Sequence, residues 1–139
     1  MEREFSAGGV VVRRFRGRPF FAAIRPRGGV LALPKGHPHS DESMLEAATR
    51  EVREETGLTA DPVGKLQDVR YWYVRKDGER VLKVVSFYLF RYRSGSVHDH
   101  DHEVESVEWV PLADAGRLLT YQTEREVAAA ALAQVSASG

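Results

Sequence analysis

The chain has 139 residues, a formal net charge of zero, and the apolar (42%) and charged (29%) fractions of a globular domain, so one domain over residues 1–139 is expected, with a core that needs no staples. The absence of cysteine excludes a disulfide framework, thiol catalysis and cysteine-bound zinc. Net neutrality supplies no overall field for nucleic acid or a membrane.

Met1-Glu2-Arg3-Glu4-Phe5 lacks an apolar signal region, and no run approaches membrane-spanning length, so a cytoplasmic protein is expected. Residues 5–15 read as a strand broken by small residues, with Val10, Val11 and Val12 at its centre. Residues 19–24 read as a second strand, paired to the first through a turn at Gly17. Arg13, Arg14, Arg16 and Arg18 cluster at that turn. They read as a solvated basic tip, with contact to an acidic substrate tail as the alternative. Residues 25–29 form a loop. Val30, Leu31, Ala32 and Leu33 make a short apolar strand that ends at Pro34-Lys35-Gly36-His37. Pro34 and Gly36 punctuate the chain there, a geometry that lets the Gly36 carbonyl face a metal. Lys35 and His37 are placed to meet phosphate or are exposed loop residues.

The stretch from Gly36 to Leu58 is the most informative. Ser43 followed by Glu46 is a capping box. Leu45, Ala48 and Val52 recur at helical spacing and face a core. Gly57 can take the positive φ that ends a helix. One amphipathic helix over about residues 43–56 is therefore expected. Glu51, Glu54 and Glu55 project from one side of it, and Glu42 is close enough to fold back towards them. Carboxylates crowded at the C-terminal end of a helix oppose its macrodipole unless a cation offsets them. Hard oxygen donors suit Mg²⁺, Mn²⁺ or Ca²⁺ rather than zinc. Arg50, one turn before Glu54, can pair with a carboxylate and fix its direction. A solvated acidic face is the simpler alternative.

Beyond the helix, residues 59–64 read as a connector with Pro62, and residues 65–74 and 80–92 as two strands joined by a Lys76-Asp77-Gly78 turn. Tyr71, Trp72 and Tyr73 alternate across that sheet, mostly as packing. A loop opens at Ser94-Gly95-Ser96. The alternating His98-Asp99-His100-Asp101-His102 has no helical zinc spacing and reads as a solvated loop. Residues 107–111 form a strand and residues 112–119 a short helix. A capping box at Thr123–Glu126 then opens an alanine-rich helix to about Val135. Tyr121 lies near its start and reads as packing, with a place bordering a ligand pocket as the alternative. The alternation of strands and helices implies a mixed sheet with helices on both faces.

Gly36, Glu42, Arg50, Glu51, Val52, Glu54, Glu55, Gly57 and Leu58 fill every fixed position of the Nudix box, and the chain resembles Nudix hydrolases from about Ala7 to Pro111. It departs from the common pattern in lacking a large aromatic before Leu33-Pro34-Lys35-Gly36, and in having Ser40-Asp41 where Pro-Gly often stands. Both departures bear on loop shape and substrate choice. The resemblance implies an α+β Nudix fold, a mixed sheet sandwiched between helices. It also implies Mg²⁺ (or Mn²⁺) held by the Gly36 carbonyl, Glu51, Glu54 and Glu55. A water attacking phosphorus would be activated by Glu54, Glu55 or the loop residue Glu103, with Glu105 as the fallback for the last. Arg50 would orient a ligand, Lys35 and His37 would meet phosphate, and Tyr71 or Tyr73 would recognise the substrate. The expected reaction is cleavage of a phosphoanhydride in a nucleoside diphosphate derivative, most like a diadenosine polyphosphate. Alternatives are a MutT-like enzyme for oxidised nucleoside triphosphates, an RNA 5′-pyrophosphohydrolase and a non-catalytic nucleotide sensor. The expected partner is a small nucleotide rather than a nucleic acid or a membrane, bound by a monomer or homodimer.

Overall fold

Strand-forming residues extend the first element further than the pattern suggests. In this computed structural model, which describes residues 2–137, β1 covers Glu2–Phe15 and β2 covers Arg18–Pro26. Met1, Ser138 and Gly139, the ends of the expected 1–139 domain and of its N-terminal segment, lie outside the described residues. The two strands form an antiparallel hairpin whose turn puts Arg16 at φ 52° and Gly17 at φ 80°. Two positive φ values match the right-handed twist of the flanking strands. The expected strand at residues 30–33 is reduced to a single bridge between Ile24 and Ala32. The paired segment comes later, as β3 (Lys35–Gly36), antiparallel to Ala7 and Gly8 of β1.

The expected connector at residues 59–64 is also strand. β4 runs Leu58–Val74 and pairs antiparallel with β5, Arg80–Gly95, absorbing Pro62 and Gly64 through register shifts. Bulges of this kind let a strand tolerate proline and glycine without ending. Ser94 and Gly95 therefore belong to β5 rather than to a loop. β6 covers Val104–Pro111. The order is β4-β5-β1-β2-β6, with β3 also on β1, and β1 runs parallel to β5, giving a mixed six-stranded sheet.

Three helices cover it. α1 spans Met44–Thr56, with the Ser43–Glu46 capping box formed and Gly57 ending it at φ 79°. Ala47, Ala48 and Val52 are buried against Ala7, Val11, Ala22 and Phe90. Leu45 departs from the expected stripe, at 37% exposed, and Ala47 takes its place in the core. The helix lies close to the sheet because β1 is small there: a Cβ on Gly9 would come within 2.4 Å of the Phe90 ring and 3.1 Å of Val52 Cγ2. On the other face a 3₁₀ turn over Leu112–Asp114 precedes α2 (Ala115–Leu118), in place of one expected helix. α3 covers Gln122–Ala137, so Thr123 lies inside its first turn rather than capping it. Val127, Ala128 and Ala131 of α3 meet Phe21, Leu33, Phe87 and Leu119 in the larger core. The result is an α+β sandwich of helix, sheet and helix. Among the described residues no helix is long and apolar enough to cross a membrane.

Candidate active site

α1 holds its functional face by its core face. Burial of Ala48 and Val52 fixes the helix rotation, and Arg50, Glu51, Glu54 and Glu55 come off the sides left over. Arg50 is the hub. Its Nε donates to Glu42 Oε2 at 2.7 Å and its Nη2 to Glu42 Oε1 at 3.0 Å, a two-pronged pair. Its Nη1 reaches Glu51 Oε1 at 2.7 Å and Glu54 Oε1 at 3.1 Å, while Nη2 also donates to the His37 carbonyl at 3.0 Å. One guanidinium thus ties the loop before the helix to two of its carboxylates. Arg50 itself is held above its ordinary value, chiefly by Glu42. Arg50 likewise is the main reason that the Glu42 carboxyl is lowered to about 2.

Glu51 and Glu55 behave oppositely. Burial pushes Glu51 up, against the pull of Arg50, with Glu54 and Asp101 adding repulsion. Burial pushes Glu55 up to about 8, partly offset by the Lys35 amide, which donates to Glu55 Oε1 at 2.8 Å. Glu51 and Asp101 raise it further. Gly36 is needed beside them: a Cβ there would come within 2.2 Å of the Glu51 carboxyl.

The donor set fits a hard divalent cation. It is all oxygen, partly desolvated, and short of positive charge on the Glu51–Glu55 side. Among the described residues no three His, Cys, Asp or Glu side chains already enclose such an ion. Arg50 occupies the space between Glu42, Glu51 and Glu54.

The loop after β5 enters this site through a residue that the sequence reading passed over. Asp101 donates its amide to the Glu54 carbonyl at 2.8 Å, and its charge acts on both Glu51 and Glu55. Glu103 is exposed, and its amide donates to Asp101 Oδ1 at 3.2 Å. Alternating His and Asp gave no local sign of this; only the docking of a 3₁₀ turn over Val97–Asp99 against α1 makes it visible. Glu105 is exposed on β6.

Next to the carboxylates lies a cleft of about 460 Å³ lined by Lys35, Tyr71, Phe87, Tyr121 and Glu124 among others. Lys35 Nζ donates to Glu124 Oε2 at 3.2 Å and lies 5.7 Å from the Tyr121 ring centre. Burial pulls the Lys35 ammonium down, but Glu124 outweighs it and leaves it raised. Glu124, 2% exposed, also accepts the Leu33 amide at 2.9 Å. It thereby fixes the strand that presents Lys35, a role that its position beside Thr123 did not reveal. Burial raises the Glu124 carboxyl against the pull of Lys35. Tyr71 is 39% exposed at the mouth of the cleft. Tyr73, two residues on, is not among the lining. It bonds Glu4, which raises its hydroxyl to about 12. His37 is exposed, with Nδ1 3.1 Å from the Phe5 carbonyl. Lys83, opposite Tyr71 in the β4–β5 register, is buried with Glu4 at 3.8 Å and lowered by burial.

The profile of the NUDIX domain matches residues 3–131. MutT4 of Mycobacterium tuberculosis, named as a candidate mutator protein, is 39% identical over 132 residues, covering 90% of this chain and 53% of that one. The chain spans about half the length of the curated relatives it matches. Its fold is similar to that of the Caenorhabditis elegans Ap4A hydrolase (TM-score 0.73, 21% identity, 96% of this chain and 98% of that one). It is similar too to the NUDIX domain of Shewanella oneidensis NrtR, solved with ADP ribose (TM-score 0.74, 18% identity, 97% and 90%).

Proposed function

The chain belongs to the NUDIX domain family, and from that premise we propose that it is a pyrophosphohydrolase, one domain working in the cytoplasm as a monomer or homodimer, that cleaves a phosphoanhydride in a nucleoside diphosphate derivative. The observation that carries the reading is the carboxylate array around Arg50, with Glu55 raised to about 8 beside a cleft that offers a lysine and two tyrosines. A family of this kind typically works with a divalent metal, and Mg²⁺ is the ion proposed, with Mn²⁺ as the alternative. Glu51, Glu54, Glu55 and the Gly36 backbone would hold it, and when bound it supplies positive charge to phosphate oxygens.

The chain's own residues do the rest. Charge on the transferred phosphoryl oxygens dominates the barrier, so positioning matters more than a covalent nucleophile. Arg50 holds the carboxylates in register. Lys35, turned from Glu124 towards an incoming phosphate, offsets its charge. Glu54 or Glu55 takes the proton of the attacking water. From the loop, Glu103 is the further carboxylate proposed for that base, and Asp101, tied by its amide to the Glu54 carbonyl, stands beside it. Tyr71 and Tyr121 each stack on a base.

Two tyrosine rings at the cleft, one for each of two bases, support a dinucleoside polyphosphate, the substrate proposed first. The 39% identity to MutT4 favours a second reading, hydrolysis of an oxidised nucleoside triphosphate. Product analysis with Mg²⁺ on diadenosine tetra- and hexaphosphate, 8-oxo-dGTP, ADP-ribose and triphosphorylated RNA separates them. ATP released fastest from the dinucleotides supports the first reading. Pyrophosphate released fastest from 8-oxo-dGTP supports the second, and no turnover of any of them would sink both.

A further inference from the structure

A groove of about 770 Å³ is at the opposite end of α3 from the proposed catalytic cleft. The cleft meets α3 at Tyr121–Glu124 and the groove meets it at Gln134 and Val135. At a rise of 1.5 Å per residue the two are separated by roughly 17 Å along the helix. Nothing in the hydrolase reading uses this groove.

Its walls are apolar and its charges are of one sign. Val63, Leu89 and Val135 supply the apolar surface, and Arg14 and Arg91 supply two guanidiniums on the same side of the sheet as Leu89. The register shift at Pro62/Gly64 opens β4 here, and a Cβ on Gly64 would meet nothing within 4 Å. Among the described residues neither arginine has a carboxylate partner. Arg14 bonds only carbonyls, of Gly17 at 2.9 Å and Val135 at 3.2 Å. Arg13 turns to the other face of the sheet, 4.2 Å from the centre of the Tyr92 ring and 4.7 Å from that of Phe15. Asp61, across the sheet from Arg91, pairs instead with Arg93 at 3.5 Å. The C-terminal end of α3 would repel an anion, but Arg14 covers the Val135 carbonyl that would do so. Guanidiniums kept apart from carboxylates beside apolar walls make an environment for a ligand that carries the missing charge.

We propose that this groove binds a small amphipathic organic anion, its apolar body against Val63, Leu89 and Val135 and its acidic headgroup on Arg91 and Arg14. The size of the groove is that of a drug-sized ligand rather than an inorganic ion. The site is separate from the proposed catalytic cleft, so the proposal stands or falls independently of the hydrolase reading.

The probe is 8-anilinonaphthalene-1-sulfonate, followed by fluorescence on the whole chain, with N-phenyl-1-naphthylamine as its uncharged counterpart. One saturable site is expected for the sulfonate. Arg91→Ala should weaken it by about tenfold or more, as loss of a charged hydrogen bond does. Arg91→Lys should retain part of the affinity, and the uncharged probe should bind both forms equally. Tyr121→Ala, in the other cleft, should leave sulfonate binding unchanged. Thermal melting of each variant shows that the fold is kept. Equal sulfonate binding by the parent chain and Arg91→Ala, no saturable binding, or loss with Tyr121→Ala alone would each overturn the proposal.

Discussion

The two faces of the sheet are built from residues of different size, and the difference separates precision from stability. Under α1 the small residues Ala7, Gly9, Val11 and Ala22 surround the Phe90 ring, so the helix backbone comes close to the sheet. Its side chains have little room to wander, and the charged residues on its flanks inherit that constraint. The face under α3 is filled by Phe21, Phe87, Leu33, Leu112 and Leu119. Large apolar side chains bury more area and account for more of the folding free energy. One layer therefore aims the carboxylates, and the other keeps the domain folded.

Substitutions on each face should break the molecule in different ways. The largest effect expected is on turnover: Glu54→Gln keeps the shape of an exposed side chain and the fold, but should lower the hydrolysis rate by about 10²–10⁴-fold, measured at saturating Mg²⁺. A rate within a factor of a few of the parent would remove Glu54 from the machinery. Phe21→Ala should do the reverse, costing about 3–5 kcal/mol in urea unfolding while the folded fraction keeps its activity per molecule. Activity lost out of proportion to folding would mean that the two faces are not separable.

A sharper test uses the closest approach on the α1 side. Gly36→Ala puts a methyl where the Glu51 carboxyl now rests, 2.2 Å away. The obstructing group is the end of a flexible side chain, so it will swing aside at small cost in melting temperature. The carboxylate, however, leaves its place. Cation affinity should fall about 10–100-fold, as it does when the support of a ligand is removed, read by titrating Mg²⁺ against activity. A large drop in melting temperature with unchanged affinity would mean that Gly36 serves packing rather than aim.

Local chemistry explains what could be read from the sequence. The start and end of α1 follow from Ser43, Glu46 and Gly57, each of which acts within a turn of its own position. The mixed sheet between helices followed from the alternation of strands and helices. Leu45 was misplaced because helical spacing gives a stripe but not its rotation, and Met44, Ala47 and Ala48 rather than Leu45 turn to the sheet. Residues 59–64 were misread because Pro62 and Gly64 disfavour a regular strand, and only the partner β5 shows that bulges absorb them. Asp101 and Glu124 were missed for a common reason. Their partners, Glu54 and Leu33 with Lys35, are distant in the chain, and no local pattern encodes those bonds.

The smallest effect tests the α1 side from its electrostatics. A carboxyl raised in the folded state binds a proton that the unfolded chain has already released. For Glu55 that window runs from the ordinary value of 4.5 to about 8. The folded form holds more protons there, so stability falls as pH rises through it and levels off above about 8. One proton gives at most about 1.4 kcal/mol per pH unit, and partial solvation of the carboxyl makes the slope shallower. Glu51 and Glu124, also raised by burial, act in the same sense. Glu42 acts oppositely but between about 2 and 4.5, outside the window. Thermal melts in chelator from pH 5 to 8 should therefore fall by a few degrees, and Glu55→Gln should flatten the decline. Added Mg²⁺ should raise the melting temperature more at pH 8 than at pH 6, because the cation takes the place of the proton. If Glu55→Gln leaves the slope in chelator unchanged, the proton is not on Glu55, and the crowding of carboxylates beside Gly36 is relieved by some other group.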